Sequence, residues 1–451
     1  MIQLVILDQE RGFAMTDCSS TKLSFPSCKG RRVEAEFSGG DVSSDGGVLL
    51  LRQADRRLGL TAAVASALDD ERRKASCDHS LLSLLRQRVF GIGLGYEDLN
   101  DHQTLRADPG MQTALDGDRV LASPATLCRF ENRADRRVAW AIHRVMVERF
   151  IASYGQPPEE LILDFDATDD AVHGHQEGRF FHGYYDHYCF LPLYVFAGER
   201  LLVAYLRPSN IDPARHAWAI LALLVKRFRE AWPGVRIVFR GDSGFCRRRM
   251  LSWCESHEVG YIVGIAKNSL LNELAAPWME QARVGFEASG SKQRLFADLS
   301  YGAKTWDRER RVIARIEHMK KGANPRYVVT NLEGDGRDLY EKLYCARGDM
   351  ENRIKEQQLD LFADRTSCHK WWPNQFRLLL TALAYTLLEA IRRLALHGTE
   401  MAHAQVRTIR LKLLKIGAVI VRNSRRVRFL LSSACPYQEL FALAAARLRP
   451  G

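Results

Sequence analysis

The sequence predicts an α/β protein in which helices flank a mixed β-sheet. Three observations lead to this prediction. Apolar residues recur at helical spacing between residues 44 and 154, whereas short runs rich in β-branched residues follow Pro157-Pro158. The helical spacing returns strongly after residue 339. We therefore expect a helical N-terminal region, a core with a mixed sheet, a β-rich insertion domain and a closing set of helices.

The composition is that of a folded, basic protein. Of its 451 residues, 46% are hydrophobic and 26% charged, and the length allows two or three domains. Lysine and arginine exceed aspartate and glutamate by 65 to 54, a formal net charge of +11. This excess favours a polyanionic partner such as nucleic acid, although a solvated basic surface explains it about as well.

Neither a membrane span nor a signal peptide is expected. The apolar stretch of residues 378–388 is far shorter than the roughly 20 residues that cross a bilayer. The run of residues 1–6 is soon followed by charges and lacks the apolar core of a secretion signal. The ten cysteines are scattered without a CxxC pair. These features predict a cytoplasmic protein with reduced thiols and no membrane partner.

Changes in the pattern divide the chain into six predicted segments. They are an N-terminal extension that is partly disordered (1–36), a helical region (37–156), the first part of a core with a mixed sheet (157–268), a β-rich insertion (269–338), the second part of the core (339–400) and a basic helical tail (401–451).

One helix of the N-terminal region has a clear start signal. Ser123 has the position of an N-cap, and Pro124 that of the first helical residue. The helix carries Arg129 and Arg133, so it could lie in a DNA groove. An ordinary capped surface helix gives the same pattern, and both interpretations stay open.

The core segment alternates strands and helices in the order of a mixed sheet. The predicted strands are residues 161–165, 191–196, 201–206, 235–239 and 261–266, the helices are 217–232 and 246–257, and the insertion adds strands at 293–299, 312–318 and 326–331.

The C-terminal tail is strongly basic. Residues 401–438 contain eight lysines and arginines and no acidic residue. Arg422, Arg425 and Arg426 are candidates for contacts with DNA phosphates. The apolar residues of the tail predict equally well a helix that packs on the core.

Acidic residues end two of the predicted strands. Asp164 and Asp166 share one face of the first strand, and Asp242 follows a later strand on a turn flanked by glycines. Each alone is explained by turn formation or helix capping. Together they indicate a site for a hard cation, because carboxylates are costly in a core strand unless they are paired or bound to metal. Such sites suit phosphoryl transfer with two ions.

A late helix offers a third acid. Tyr344, Arg347 and Glu351 are three and four residues apart and therefore share a helix face. This face presents a carboxylate for metal beside a guanidinium that suits a phosphate. A surface helix with pairs of opposite charge is the alternative.

These motifs resemble those of bacterial DDE transposases, specifically of the insertion sequence 1380 family. The resemblance extends from about Phe37 to Ala445. The matching segments are Ser80 to Arg88, Gly95 to Asp101, Asp164 to Asp170, Phe181 to Tyr185, Asp242 to Phe245 and the Tyr344 helix. The family implies a ribonuclease H-like core.

The resemblance also implies the catalytic acids. The first acid of the family stands in an Asp-x-Thr motif, which points to Asp166 rather than Asp164; the others correspond to Asp242 and Glu351. The three acids are expected to bind two Mg²⁺ ions, with Mn²⁺ as a substitute. Tyr344 and Arg347 are expected to hold DNA phosphate.

Two further DNA contacts follow from the resemblance. In the family signature, six residues separate the glutamate from a following lysine. Gln358 occupies the lysine position here, so Lys355, one turn earlier, is the substitute candidate. Trp306, in the insertion, is the candidate for stacking on a displaced base. A tryptophan in a strand is more often part of a core.

The implied function is cut-and-paste transposition. The protein would bind the terminal inverted repeats of an insertion sequence, cleave the DNA ends and join the 3′-hydroxyl to target DNA. Its partners would be double-stranded DNA and a second copy of the chain, at the bacterial nucleoid. A silent repressor that only binds the repeats, and a nuclease without strand transfer, are the alternatives.

Overall fold

The computed structural model describes residues 22–73 and 77–449. Most of the predicted extension, residues 1–36, lies outside these ranges. Its described part contains strands β1 (Leu23–Cys28) and β2 (Arg31–Ala35), which pair in an antiparallel hairpin whose residues are all exposed.

The helical N-terminal region is confirmed as helical. As predicted, Ser123 accepts a hydrogen bond from the backbone N–H of Thr126 at 3.3 Å, and Pro124 is the first residue of the helix. The elements are β3 (Val42–Ser43), α1 (Val48–Leu58), α2 (Leu60–Ala67), α3 (Leu81–Leu94), α4 (His102–Leu105), α5 (Pro109–Ala114), α6 (Pro124–Asn132) and α7 (Arg136–Ala152).

The central sheet is mixed, as predicted, and its strands lie close to the predicted ranges. The elements of this part are β4 (Glu160–Ala167), β5 (Asp170–Ala171), β6 (Phe180–His182), β7 (His187–Phe190), β8 (Leu193–Ala197), β9 (Arg200–Tyr205), α8 (Ala217–Ala231), β10 (Arg236–Gly241), α9 (Arg248–Ser256) and β11 (Gly260–Ile265). Strand β10 pairs in parallel with both β4 and β11, whereas β8 and β9 are antiparallel to their neighbours. The short strands β5, β6 and β7 form a separate small sheet.

The two faces of the central sheet differ. Leu163 and Phe165 of β4 pack against α8 and α9 in a large apolar cluster. Asp164 and Asp166 alternate with them and therefore project from the other face. This alternation explains how one apolar strand carries two acids.

The segment predicted as a β-rich insertion begins with a long helix and then extends the same sheet. It contains α10 (Ser269–Ser289), β12 (Gln293–Tyr301), β13 (Arg310–Met319) and β14 (Gly322–Thr330). Strand β14 pairs with β11, which gives the order β12-β13-β14-β11-β10-β4-β8-β9. The three strands are thus part of the central sheet.

The second helical part follows β14. Its elements are α11 (Gly336–Asp338), α12 (Gly348–Lys355), α13 (Trp371–Ala390) and α14 (Val406–Ile409), and π-helical or 3₁₀ turns continue α11 into α12 and extend the ends of α12, α13 and α14. Helix α13 is buried along most of its length and joins the cluster of the N-terminal helices. In the described ranges no helix is both long and apolar enough to cross a membrane.

The prediction that the tail is helical throughout is wrong. Beyond α14 the chain forms the hairpin β15 (Ala418–Arg422) and β16 (Val427–Leu431), and only then helix α15 (Gln438–Arg447). The alternating burial of residues 418–421 is that of a half-buried strand. Strand β15 also pairs with β3, which joins the two ends of the described chain.

Candidate active site

Two of the predicted acids lie at the carboxyl ends of neighbouring parallel strands. Asp166 is near the end of β4, and Asp242 directly follows β10. The register pairs Asp164 with Arg240, so the same register continued by two residues puts Asp166 beside Asp242. Ligand sites of open α/β sheets lie at this edge.

Asp164, the other acid of β4, has a buried partner. It forms an ion pair with Arg240, in which Nη2 donates to Oδ2 at 2.7 Å. Burial raises the pKa of Asp164, and Arg240 acts in the opposite direction. Arg240 also donates to the backbone carbonyl of Leu343, which precedes Tyr344. The pair therefore ties the helical segment around Tyr344 to the sheet.

Arg347 links the first acid to the third. Its Nη1 donates to Asp166 Oδ2 at 3.2 Å, and its Nη2 donates to Glu351 Oε1 at 2.6 Å. Glu351 is on α12, one turn after Arg347, and its side chain is 45% exposed. Residues remote in sequence thus meet at one guanidinium.

The electrostatics of the site reflect this crowding. Burial raises the pKa of Asp166 to about 7; Arg347 opposes this shift, while Asp242 and Glu351 add to it. Burial lowers the pKa of Arg347, but Asp166 and Glu351 outweigh it and the net shift is upward. The carboxylates therefore repel one another, and Arg347 offsets part of the repulsion.

The turn after β10 orients Asp242. Its Oδ1 accepts a hydrogen bond from the backbone N–H of Gly244 at 2.9 Å, as an N-cap does. One carboxylate oxygen is thus held by the turn.

Gly264 of β11 makes room for Tyr344 beside this turn. A Cβ atom at residue 264 would lie 2.6 Å from Tyr344 Oη and 3.0 Å from the backbone nitrogen of Ser243. Burial raises the pKa of Tyr344, Arg347 lowers it and Asp242 raises it. The hydroxyl is therefore close to the second acid, as well as to Arg347.

The donor atoms of the site bear on whether it can hold a metal ion. Among residues 22–73 and 77–449, no group of three Asp, Glu, His or Cys side chains is arranged to hold a metal ion. Arg347 contacts both Asp166 and Glu351 and supplies positive charge where a cation would. The donor set still suits a hard cation, because it consists of carboxylates and the buried Asp166 feels two like charges.

The residues beyond Glu351 differ in their surroundings. Gln358, at the position where the family signature has lysine, donates from Nε2 to the backbone carbonyl of Asp169 at 2.8 Å. This hydrogen bond attaches the segment after α12 to the chain just after β4. Lys355 is exposed on α12, one turn after Glu351.

Trp306 is not brought to the acids. It lies in the loop between β12 and β13 and packs against the apolar cluster on the opposite face of the sheet. Its ring contacts Tyr301 edge-on at 5.4 Å, and Arg310 lies over it at 5.2 Å. These contacts agree with the alternative that the tryptophan is part of a core.

The remaining predicted DNA contacts are on the surface. Arg129 and Arg133 are exposed at α6. Arg425 and Arg426 are exposed in the turn between β15 and β16. Arg422 differs from them, because its guanidinium donates to Gln112 Oε1 at 3.0 Å and to the carbonyl of Pro109 at 2.7 Å.

The structure adds aromatic residues that the sequence reasoning left without a role. Burial, then Asp169 and Asp166, raise the pKa of Tyr185 to about 12. Tyr184, its neighbour, is 85% exposed in the turn between β6 and β7. The segment that contains both was singled out as a motif, which is the signal that could have found them.

The chain matches a known protein family over most of its length. A family model described as "Transposase DDE domain group 1" matches residues 25–451. A search of the curated proteins gives no significant match. Among the solved structures, a cryo-EM structure of the piggyBac transposase synaptic complex with hairpin DNA is 11% identical, with coverage of 82% of this chain and 80% of that one and a TM-score of 0.41. A TM-score this low supports no further argument.

Proposed function

The chain belongs to the family of transposase DDE domains, group 1, and on this premise we propose that it is a cut-and-paste transposase of the insertion sequence 1380 type. It would bind the terminal inverted repeats of its element, cleave the DNA ends and transfer the 3′-hydroxyl to target DNA. The observation that carries the proposal is the contact of Arg347 with both Asp166 and Glu351, beside Asp242.

Asp166, Asp242 and Glu351 would hold the divalent ions, Mg²⁺ or, as a substitute, Mn²⁺. The ions would supply positive charge for phosphoryl transfer. Arg347 contacts Asp166 and Glu351 and offsets part of the repulsion between them. The planar fork of Arg347 would hold a DNA phosphate beside the acids, with the hydroxyl of Tyr344 next to it.

Other exposed cations would extend the DNA contact. Arg129 and Arg133 at α6 would contact the terminal repeats, and Lys355 would lie along the strand beyond Glu351. A homodimer would hold two element ends together. A ribonuclease H-like core is part of the same proposal, in agreement with the parallel pair of β4 and β10 that carries two of the acids.

The test is a cleavage assay with the wild-type chain. End-labelled duplexes from the DNA that flanks the gene are incubated with Mg²⁺, and with EDTA as the control. We expect nicks at the element ends in Mg²⁺ only, and joining of a pre-cleaved end to plasmid DNA. Binding without nicking at any metal concentration would contradict the proposal and favour the repressor. Nicking without joining would favour a simple nuclease.

Arg425 and Arg426 are expected to contact DNA phosphates through the exposed turn of the β15–β16 hairpin. Replacing both with glutamine should flatten the dependence of log Kd on log salt by up to about 1.8, since each lost phosphate contact accounts for about 0.9. Fluorescence anisotropy with a labelled duplex measures this slope.

The matched control removes two exposed charges elsewhere, K226Q/R236Q. Arg422 is left in place, because its hydrogen bonds to Gln112 and Pro109 attach the hairpin to α5. A slope equal to that of the wild type would contradict contact through this turn.

A further inference from the structure

A basic cleft of about 490 Å³ adjoins Asp242 on the side away from β4. Strands β11, β13 and β14 and the helical segment before α12 form its walls. Its cationic lining consists of Lys267, Arg315, Arg326 and Arg347. Of these four, Arg347 belongs to the site already described, and the other three have no role in it.

Two of these cations are placed directly opposite each other. Arg315 of β13 and Arg326 of β14 are cross-strand partners in the antiparallel ladder. Side chains at such positions have Cβ atoms about 4.5–5.5 Å apart, and like charges there destabilise a sheet. An anion bound between the two guanidinium groups would offset this repulsion.

The protein itself provides little negative charge there. Arg315 forms an ion pair with Glu317 at 3.7 Å. Within the described part of the chain, Arg326 forms none and Arg315 forms no other. Glu317 is closer to Lys292 and Arg294, each at 2.8 Å. The Nε of Arg315 is buried and has no hydrogen-bond partner. A positive excess thus remains in the cleft.

The register puts this pair on the same sheet face as the acids. Gly264 pairs with Val328, and Asp242 lies beside Gly264 when the β10–β11 register is continued. Arg326 is two residues from Val328, so both side chains project from the same face. Two residues along a strand span about 6.8 Å. Strands β14 and β13 are also two and three strands from β10, roughly 10 and 14 Å across the sheet. Because the arginines and Asp242 line the same cleft, a ligand held by the arginines would share that cleft with one held at Asp242.

Neighbouring side chains position two of the cations that line the cleft. Arg315 lies over the ring of Tyr340, 5.1 Å from its centre, and that ring contacts Tyr344 at 5.4 Å. Lys267 is held by Asn324, to which its Nζ donates at 3.0 Å. The cations are thus supported by neighbours that leave their charge unneutralised.

We propose that Arg315, Arg326 and Lys267 bind a backbone phosphate, other than the one that is cut, of the DNA strand that passes Asp242. The inference rests on the proposed function, because it assumes that DNA reaches the acids. A phosphate is the anion that fits, since its several oxygens can accept hydrogen bonds from two guanidinium groups and an ammonium group at once. These contacts would fix the position of the strand without reading its sequence.

The test compares R315Q/R326Q with the control K226Q/R236Q. The control removes the same number of positive charges, and one of its residues, Arg236, is at the end of β10 opposite Asp242. Binding to a labelled element-end duplex is measured by anisotropy without magnesium. We expect Kd to rise at least tenfold over the control and the salt slope to flatten by about 0.9, because the proposal has a single phosphate contact to lose. The thermal midpoint should stay or rise, because the repulsion between the arginines is removed.

A second variant guards against a folding defect. Lys267 is exposed, so K267Q should fold normally and raise Kd by a smaller factor in the same direction. If the wild type binds and cuts DNA while both variants match the control in Kd and slope, the phosphate site is wrong and the transposase proposal stands. If the wild type neither binds nor cuts, the function itself fails.

Free phosphate is the other source of the same anion. Inorganic phosphate alone is added to the wild type and to R315Q/R326Q, and the thermal midpoint is followed. Stabilisation of the wild type that the variant loses, with unchanged DNA binding in the variant, would assign the cleft to a small anion and overturn the assignment to DNA.

Discussion

Replacing Asp242 with asparagine is expected to reduce metal-dependent cleavage of an element-end duplex by at least about 1,000-fold, a barrier increase of about 4 kcal/mol. The variant lacks one of the carboxylates proposed to hold the ions. An asparagine oxygen can still accept the hydrogen bond of the Gly244 N–H, so the turn after β10 should persist. Single-turnover nicking of a labelled duplex in Mg²⁺ measures the effect.

The control is D212N, because Asp212 is an exposed aspartate that pairs with Arg247. We expect D212N to cut normally and D242N to bind DNA as tightly as the wild type. Unimpaired cleavage by D242N would remove this residue from the mechanism. Loss of binding together with cleavage would instead indicate a damaged fold.

Arg240→Ala is expected to lower the free energy of unfolding by about 3–5 kcal/mol, because it leaves the carboxylate of Asp164 buried without its partner. It also removes the hydrogen bond to the carbonyl of Leu343. Denaturant unfolding followed by fluorescence measures the loss. An effect below about 1 kcal/mol would contradict a buried, coupled pair.

Two companion variants separate the causes. R240M/D164L replaces both charges with apolar side chains, and most of the stability should return. Its cleavage rate should remain low, because the link between the sheet and the segment of Tyr344 is still missing. R283A, which removes an exposed arginine of α10, should leave the denaturation midpoint unchanged. Full activity of the apolar pair would show that the link to Leu343 does not position the site.

Much of the core could be predicted from local pattern. The β-branched runs gave strands close to β4, β8, β9, β10 and β11, because a strand's side chains and its turn residues are adjacent in sequence. The pairing of β14 with β11 was not predictable in this way. It depends on residues more than 60 positions apart, and no local spacing encodes such a partner.

The tail shows a different limit. Its basic charge led to the prediction of helices, yet the residues of β15 alternate in burial over only a few positions. Such a short run is ambiguous between helix and strand. Pairing with β3, near the start of the described chain, decides the outcome.

The candidate site could be predicted in part. The spacing of Tyr344, Arg347 and Glu351 indicated one helix face, and the choice of Asp166 rested on a family motif. The ion pair between Asp164 and Arg240 gives a physical reason for that choice, but Arg240 was not singled out because its partner is on another strand. The opposed arginines Arg315 and Arg326 were missed for the same reason.

The contact of Arg347 with Asp166 joins residues 181 positions apart and has a consequence for synthesis. A ribosome that has released β4 and β10 has still to translate α9, α10, four strands and the segment of Tyr344 before Glu351 emerges. The nascent polypeptide therefore carries two acids without the third. If the proposed function holds, a chain that ends before Glu351 would lack one of the three acids and would not cut DNA.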